Sequence, residues 1–237
     1  PCKGGCPIAQ DIPEYIELCK KGLYNEALKL ITEKNALPFI TGTICAHHCM
    51  DKCMRNHYES PVDIRGTKLV AAEAAYDELM AITEPVEPTL GKLAVVGGGP
   101  AGLAAAYFAA KAGYAVTVFE KRETLGGIVR NVIPGFRISE EAINKDVEFI
   151  KKNGVEFVMG KEAPDAAALK ADGFEHIILA CGAEKKGVLA IEGITSPDGR
   201  VLGKMGHSER IGANLYRNLP DRYDMQLFAS AVRYFSK

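Results

Sequence analysis

Residues 92–120 read K-L-A-V-V-G-G-G-P-A-G-L-A-A-A-Y-F-A-A-K-A-G-Y-A-V-T-V-F-E, and this stretch decides the fold. Leu93 to Val96 is a short apolar run of the kind that forms a buried parallel strand. Gly97, Gly99 and Gly102 follow at G-x-G-x-x-G spacing. Leu103 opens an Ala-rich helix that ends near Lys111, Ala115 to Phe119 gives a second strand, and Glu120 closes it. Strand, glycines, helix, strand and acid in that order make a dinucleotide-binding βαβ unit. Gly97 permits the tight turn, Gly99 lets the backbone approach a pyrophosphate, and Gly102 allows close packing of helix on strand. The pyrophosphate is expected on free N–H groups at the helix N-terminus, where the dipole favours anions. Glu120, 18 residues beyond Gly102, stands where a ribose hydroxyl would donate to it. An acid there disfavours a 2′-phosphate. Leu93 to Ala110 carries no charge over 18 residues, the length of a membrane span. The glycine triplet and Pro100 break it after four residues, and no flanking basic cluster orients it, so no span is expected.

Working outward, the 237 residues are enough for one or two domains with a real core. A net charge of -1 gives no sign of a nucleic-acid or anionic-membrane surface. No signal peptide is visible and the chain starts at Pro1 without a methionine, so a cytoplasmic protein, and a piece of a longer one, is expected. Six of the seven cysteines precede residue 54. That clustering points to metal rather than to a disulfide framework, which needs an oxidising compartment.

Helices are expected within Asp11 to Lys20, with Asp11 as N-cap and Pro13 in the first turn, then over Leu23 to Glu33 and Thr67 to Met80. Asn35 to Thr43 contains Pro38 and Gly42 and reads as a loop. Thr83 to Thr89, with Pro85 and Pro88, reads as a domain linker. Cys45, Cys49 and Cys53, at four-residue spacing, suit one helical face or successive turns of a loop. Together with Cys2 and Cys6 they form a thiol set suited to soft metal, as iron–sulfur clusters or structural zinc; unliganded thiols are the bland alternative. Cys19 occupies an apolar helix position and reads as core. His47 and His48 point different ways and read as exposed residues or as supports behind the ligands.

The segments C-x-x-x-C-P-I-A-Q-D-I-P-E-Y-I, N-A-L-P-F-I-T-G-T-I-C, C-x-x-x-C-M-R and P-V-D-I-R-G resemble the iron–sulfur domain of the glutamate synthase small subunit, which dihydropyrimidine dehydrogenase shares. D-I-P-E-Y-I and G-G-I-V-R-N-V-I-P-G-F-R look closest to the proposed selenate reductase branch. The resemblance covers about residues 1–187. It implies an α+β chain: an all-α iron–sulfur domain over 1–84, then a partial α/β Rossmann-like FAD-binding domain with a parallel sheet over 85–187. It implies two [4Fe–4S] clusters, with Cys6, Cys45 and Cys49 on one and Cys2 and Cys53 helping to hold the other. A further C-x-x-C of the family, upstream of Cys2, is not in this sequence. Lys68 stands where some members carry a Gln or Glu ligand, and a cationic Lys is a poor iron ligand. The implied FAD site is Gly97, Gly99, Pro100, Ala101, Gly102, Glu120, Lys121, Gly126, Gly127, Arg130, Ile133, Arg137, Cys181 and Gly182. No residue is assigned a catalytic acid–base role. NAD(P)H would act through a domain missing from this chain, and electrons would leave to a partner catalytic subunit. Neither nucleic acid nor membrane is an expected partner.

Past the second strand, Leu125-Gly126-Gly127 fits a second close backbone approach or a plain turn, and Arg130 and Arg137 offset phosphate charge or lie solvated. Ser139 caps a helix over Glu140 to Asn153 that Gly154 ends, and Val155 to Met159 and His176 to Ala180 are strands. Cys181 stands in Ala180-Cys181-Gly182-Ala183, where the family has Ala-Thr-Gly, and reads as a small buried residue. From residue 188 the pattern changes. Ala190 to Arg210 and F-A-S-A-V-R-Y-F resemble the end of the glutaminase domain of phosphoribosylformylglycinamidine synthase, where His207 would be the general base and Glu209 would orient it. No G-x-C-x-G elbow supplies the nucleophile that chemistry needs. The resemblances therefore leave three expectations: an electron-transfer oxidoreductase module with FAD and [4Fe–4S] clusters, a glutamine amidotransferase fragment, and a zinc-stabilised nucleotide-binding scaffold.

Overall fold

The computed structural model describes residues 1–182, together with the backbone of 193–195 and 202–204. The first half is helical: α1 (Cys2–Gly5), α2 (Ile12–Lys20), α3 (Tyr24–Thr32), α4 (Pro38–Ile44), α5 (His48–Asp51), a 3₁₀ turn (Met54–His57) and α6 (Ile64–Ile82). The second half alternates: β1 (Lys92–Val96), α7 (Pro100–Lys111), β2 (Ala115–Glu120), α8 (Gly127–Asn131), α9 (Glu140–Lys152), β3 (Glu156–Met159), α10 (Ala166–Ala171) and β4 (Phe174–Leu179). Residues 1–188 form one compact unit. In the separate unit, β5 (Gly193–Thr195) pairs antiparallel with β6 (Leu202–Lys204).

The sheet runs β3-β2-β1-β4 and every pairing in it is parallel. The α/β character expected of this half is therefore present. Such a sheet needs apolar cover on both faces. β1 supplies it with Leu93, Ala94 and Val95 all buried, and β2 contributes Val116 and Val118. Placing β1 in the middle puts its C-terminal end, and hence the glycine turn, between the ends of β2 and β4.

Two sequence expectations change here. Asn35 to Thr43 is not a loop, because α4 occupies Pro38–Ile44. Pro38 sits at the first helical position, where its missing N–H costs nothing. Gly42 is a packing residue: an added Cβ would lie 3.0 Å from Cβ of Leu69 on α6. The helix of the βαβ unit opens at Pro100, three residues before Leu103, for the same first-position reason. The remaining helix readings hold to within a few residues, including the Ser139 cap, whose hydroxyl accepts the Ala142 N–H at 3.1 Å.

The helical and α/β halves share one apolar core. Phe39, Ala72, Ala75 and Leu79 belong to the same buried cluster as Val95, Leu103, Tyr107 and Phe149. Phe39 meets Tyr76 edge-on with ring centres 5.3 Å apart. Polar bonds cross the same junction. The Tyr107 hydroxyl donates to the Thr32 carbonyl at 3.0 Å, and that of Tyr76 to the Lys145 carbonyl at 3.1 Å. Asp146, wholly buried on α9, accepts the Phe39 N–H at 3.1 Å and the Ile40 N–H at 2.7 Å. It satisfies the open N-terminus of α4, the helix that leads to Cys45. The 83–91 segment is pinned rather than loose, since the Thr89 and Leu90 amides donate to the Gly113 carbonyl. None of the described helices is long and apolar enough to cross a membrane.

Replacing Asp146 by Ala orphans two buried N–H groups and removes the carboxylate nearest the buried Lys68. The expected loss of stability is about 3–5 kcal/mol. Glu141→Ala, which breaks only an exposed pair with Lys145, should cost less than about 1 kcal/mol. Urea unfolding of the two variants checks the contrast.

Candidate functional site

The glycine turn is built by close backbone approaches. Gly97 has φ +112, a conformation that side chains rarely adopt, and a Cβ there would run into the Ala180 carbonyl. A Cβ at Gly102 would overlap the Gly97 carbonyl oxygen, so only glycine lets α7 start this close to β1. Gly99 precedes α7 in extended conformation, and no side chain caps the helix. The first N–H groups of a helix have no intrahelical partner, so Ala101 and Gly102 present donors toward whatever lies over the turn.

A second glycine pair closes on the first. The Gly126 N–H donates to the Gly98 carbonyl at 2.8 Å, and a Cβ on Gly127 would lie 2.8 Å from Cα of Gly99. The Gly126-Gly127 turn is thus packed directly against the first glycine turn. Glu120, 7% exposed, accepts the Gly98 N–H at 2.7 Å on one oxygen and the Arg122 N–H at 2.9 Å on the other. An ionised carboxylate has about four lone-pair sites, so this one retains capacity for ribose hydroxyls. Gly98 was not singled out in the sequence. Its signal was only its place in the G-G-G triplet.

The other expected nucleotide contacts divide. Pro100 opens α7 and Ala101 is exposed beside it. Lys121 follows Glu120 on the exposed side. Arg130 is held rather than solvated: it donates to the Leu125 carbonyl at 2.6 Å and to the Asn144 side chain, beside the second glycine pair. Ile133 and Arg137 have their contacts elsewhere. Ile133 packs against the core, and Arg137 lines a cleft of about 310 Å³ with Phe39, Leu69, Phe136 and Lys145. Cys181 is a correction. It is exposed, not buried, because β4 ends at Leu179 and the chain leaves the sheet beside Gly97. Gly182 is also exposed, with φ +71.

The cysteines come from short elements. α1 carries Cys2 and is followed by Cys6, α4 is followed by Cys45, α5 carries Cys49, and Cys53 precedes the 3₁₀ turn. Cys45, Cys49 and Cys53 thus lie on successive turns, not on one helical face. Cys2, Cys6, Cys19 and buried Cys49 pack in a second apolar cluster with Ile12, Tyr15, Ile64 and Ala71. Cys19 is half-buried there as an apolar side chain, and burial pushes its thiol up. Burial likewise raises Cys49, with Cys6 and Cys45 adding like-charge repulsion. Cys6, Cys45 and Cys49 are therefore close enough to feel one another. Among the described residues no three His, Cys, Asp or Glu side chains are arranged to hold a single metal ion.

Two features around Cys45 suit a sulfur-rich anionic group. His47 donates its N–H to Cys45 Sγ at 3.4 Å, from a left-handed backbone at φ +47. Its Nδ1 is buried without a partner, a vacancy that a cluster sulfur could fill. Arg65 donates to the Cys45 carbonyl at 3.1 Å. His48, by contrast, is exposed and stands 3.6 Å from Asp51. Lys68 is buried at 6% exposure and lies near Cys45, Cys6 and Cys49. The donor set and its surroundings fit a [4Fe–4S] cluster, and the double glycine cradle fits a dinucleotide pyrophosphate. His207 and Glu209 lie outside the described residues.

Comparison with known proteins agrees with this division. Residues 1–79 match the family described as dihydropyrimidine dehydrogenase domain II, 4Fe–4S cluster. Residues 95–143 match the NAD(P)-binding Rossmann-like domain, and residues 185–235 match the CobB/CobQ-like glutamine amidotransferase domain. Over 197 residues the chain is 44% identical to YgfK of Escherichia coli (strain K12), provisionally named an oxidoreductase. That match covers 81% of this chain and 19% of YgfK. The glutamate synthase (NADPH) small chain of Mycobacterium tuberculosis (strain ATCC 25618 / H37Rv) is 34% identical over 196 residues, covering 81% of this chain and 40% of that one. The chain thus spans well under half the length of these relatives. Among solved structures, histamine dehydrogenase from Rhizobium sp. 4-9 is 27% identical over 48% of this chain and 16% of its own, with a TM-score of 0.34.

Gly102→Ala should weaken flavin adenine dinucleotide binding more than about tenfold, the effect of a strain above about 1.4 kcal/mol. Fluorescence titration of the reconstituted chain measures it, and circular dichroism should show the helices intact.

Proposed function

We propose that this chain, which joins a dihydropyrimidine-dehydrogenase type of 4Fe–4S domain to a Rossmann-like nucleotide-binding segment, is the electron-transfer module of an oxidoreductase. Electrons would come from NAD(P)H, pass by way of FAD to [4Fe–4S] clusters, and leave to a partner catalytic subunit. The observation that carries the reading is the compact unit that contains both the thiols and the glycine cradle, with α4 tied to α9 at one end and followed by Cys45 at the other. Electron transfer needs fixed separation, and packing within one unit supports it.

The bound flavin supplies the conversion of a hydride's electron pair into single-electron transfers, which no side chain can perform. The chain's own groups bind, orient and tune. The N–H groups of Ala101 and Gly102 would take the pyrophosphate, Glu120 the ribose, and Gly126-Gly127 the second face of the cradle. Cys6, Cys45 and Cys49 would hold one cluster, and Cys2 and Cys53 contribute to another. Thiols raised by burial, such as Cys49, lose their proton only on metal binding, so loading should release protons and weaken in acid. The boundaries 1–84, 85–187 and 188–237 are the domain division that goes with this reading.

A second reading rests on the match of residues 185–235 to a glutamine amidotransferase domain. It needs a thiol nucleophile for His207, and exposed Cys181 is the candidate in the described residues. Alkylation would then find one cysteine reacting far faster than the rest. A zinc-stabilised nucleotide-binding scaffold is the colourless alternative.

Purified without oxygen, the whole chain should be brown and contain iron, acid-labile sulfide and FAD. Cys49→Ser should lower iron and sulfide while leaving the flavin content unchanged. A colourless protein holding zinc, or neither iron nor flavin, would defeat the electron-transfer reading.

A further inference from the structure

Lys68 is a cation in a place where cations are expensive. It lies on α6 between Ile64 and Ala71, the residues of that helix that pack with Cys49, and it is 6% exposed. Positions three and four apart share a helix face, so the ammonium is directed into the same cluster as the thiols. A buried charge is retained only where opposite charge compensates it. Asp146 is the carboxylate within electrostatic reach, but both its oxygens are already engaged by the Phe39 and Ile40 N–H groups. Burial lowers Lys68, and the groups that act against that, in order, are Cys45, Cys6, Cys49 and then Asp146. Sulfurs bound to iron carry the negative charge that an ammonium in this place needs.

We propose that Lys68 is a positioning charge for the iron–sulfur cluster held by Cys6, Cys45 and Cys49: its buried ammonium stabilises the reduced form and raises the reduction potential. The inference rests on the electron-transfer reading and deepens it. Reduction adds one electron, and hence one negative charge, to the cluster. A cation held in a low-dielectric site close to the sulfurs favours that added charge, as burial, net charge and hydrogen bonds do generally in such centres. Asp146 on α9 acts on the same ammonium only as the smallest of the four opposing charges.

The test is a dithionite titration of the whole chain, with clusters loaded anaerobically, followed by electron paramagnetic resonance. Lys68→Met and Lys68→Gln both remove the charge, and Lys68→Arg keeps it. The expected result is unchanged iron content, with the neutral variants shifted negative by at least 59 mV, a tenfold change in a one-electron equilibrium. The Arg variant should remain near wild type. Either neutral variant suffices should the other fail to fold. The proposal is overturned if the neutral variants titrate with wild type, if Arg shifts with them, or if the substitutions remove iron, which would make Lys68 a ligand or a packing residue. Wild type without a cluster would instead sink the electron-transfer reading, which keeps the two failures apart.

Discussion

A single buried carboxylate holds the two halves of this molecule in register. Asp146 sits among Ile143, Val147 and Ile150 on the apolar face of α9, a position where a charge is costly. It is tolerated because two backbone amides of α4 donate to it and because Lys68 opposes its charge. Burial pushes the carboxyl up to about 8, against the downward pull of those bonds and of Lys68.

From that contact the rest follows in sequence. α4 is seven residues long, too short to be stable alone, so its orientation comes from Asp146 at one end and from Gly42 against Leu69 in its middle. Its last residue is followed by Cys45, whose sulfur and carbonyl are then fixed by His47 and Arg65. On the other side, α9 receives the Arg130 side chain through Asn144, and Arg130 also holds the Leu125 carbonyl beside the second glycine pair. Cys45 and the second glycine pair are therefore attached to opposite ends of one short chain of contacts. Apart from the 19-residue α6, the helices of this half are short, and they pack on α6 and on the α/β half.

The two glycine turns illustrate a different economy of means. Neither uses a side chain to bind; both use its absence. At Gly97 and Gly102 the backbone of strand, helix and the end of β4 meet so closely that a methyl group would have no place. Glu120 then ties β2 to the turn through the Gly98 amide. The result is an anion-receptive helix end framed by backbone, which fits the pyrophosphate of an adenine dinucleotide without selecting its other half.

Much of this was legible in the residues. Alternating βαβ order, the glycine spacing, the Ser139 cap and the concentration of thiols each follow from local rules: strand and helix periodicity, the conformations only glycine allows, and the affinity of sulfur for soft metals. What those rules could not reach were features set by partners distant in sequence. Pro38 and Gly42 look like a loop until α6 provides the surface against which a glycine-bearing helix packs. Cys181 reads as a core residue until β4 ends two positions earlier. Asp146 announces itself only as an acid on an apolar helix face, and its partners lie more than a hundred residues away at Phe39 and Ile40. Composition and spacing decided which chemistries were available; tertiary contact decided which groups face each other, because burial and charge compensation depend on neighbours that no local window contains.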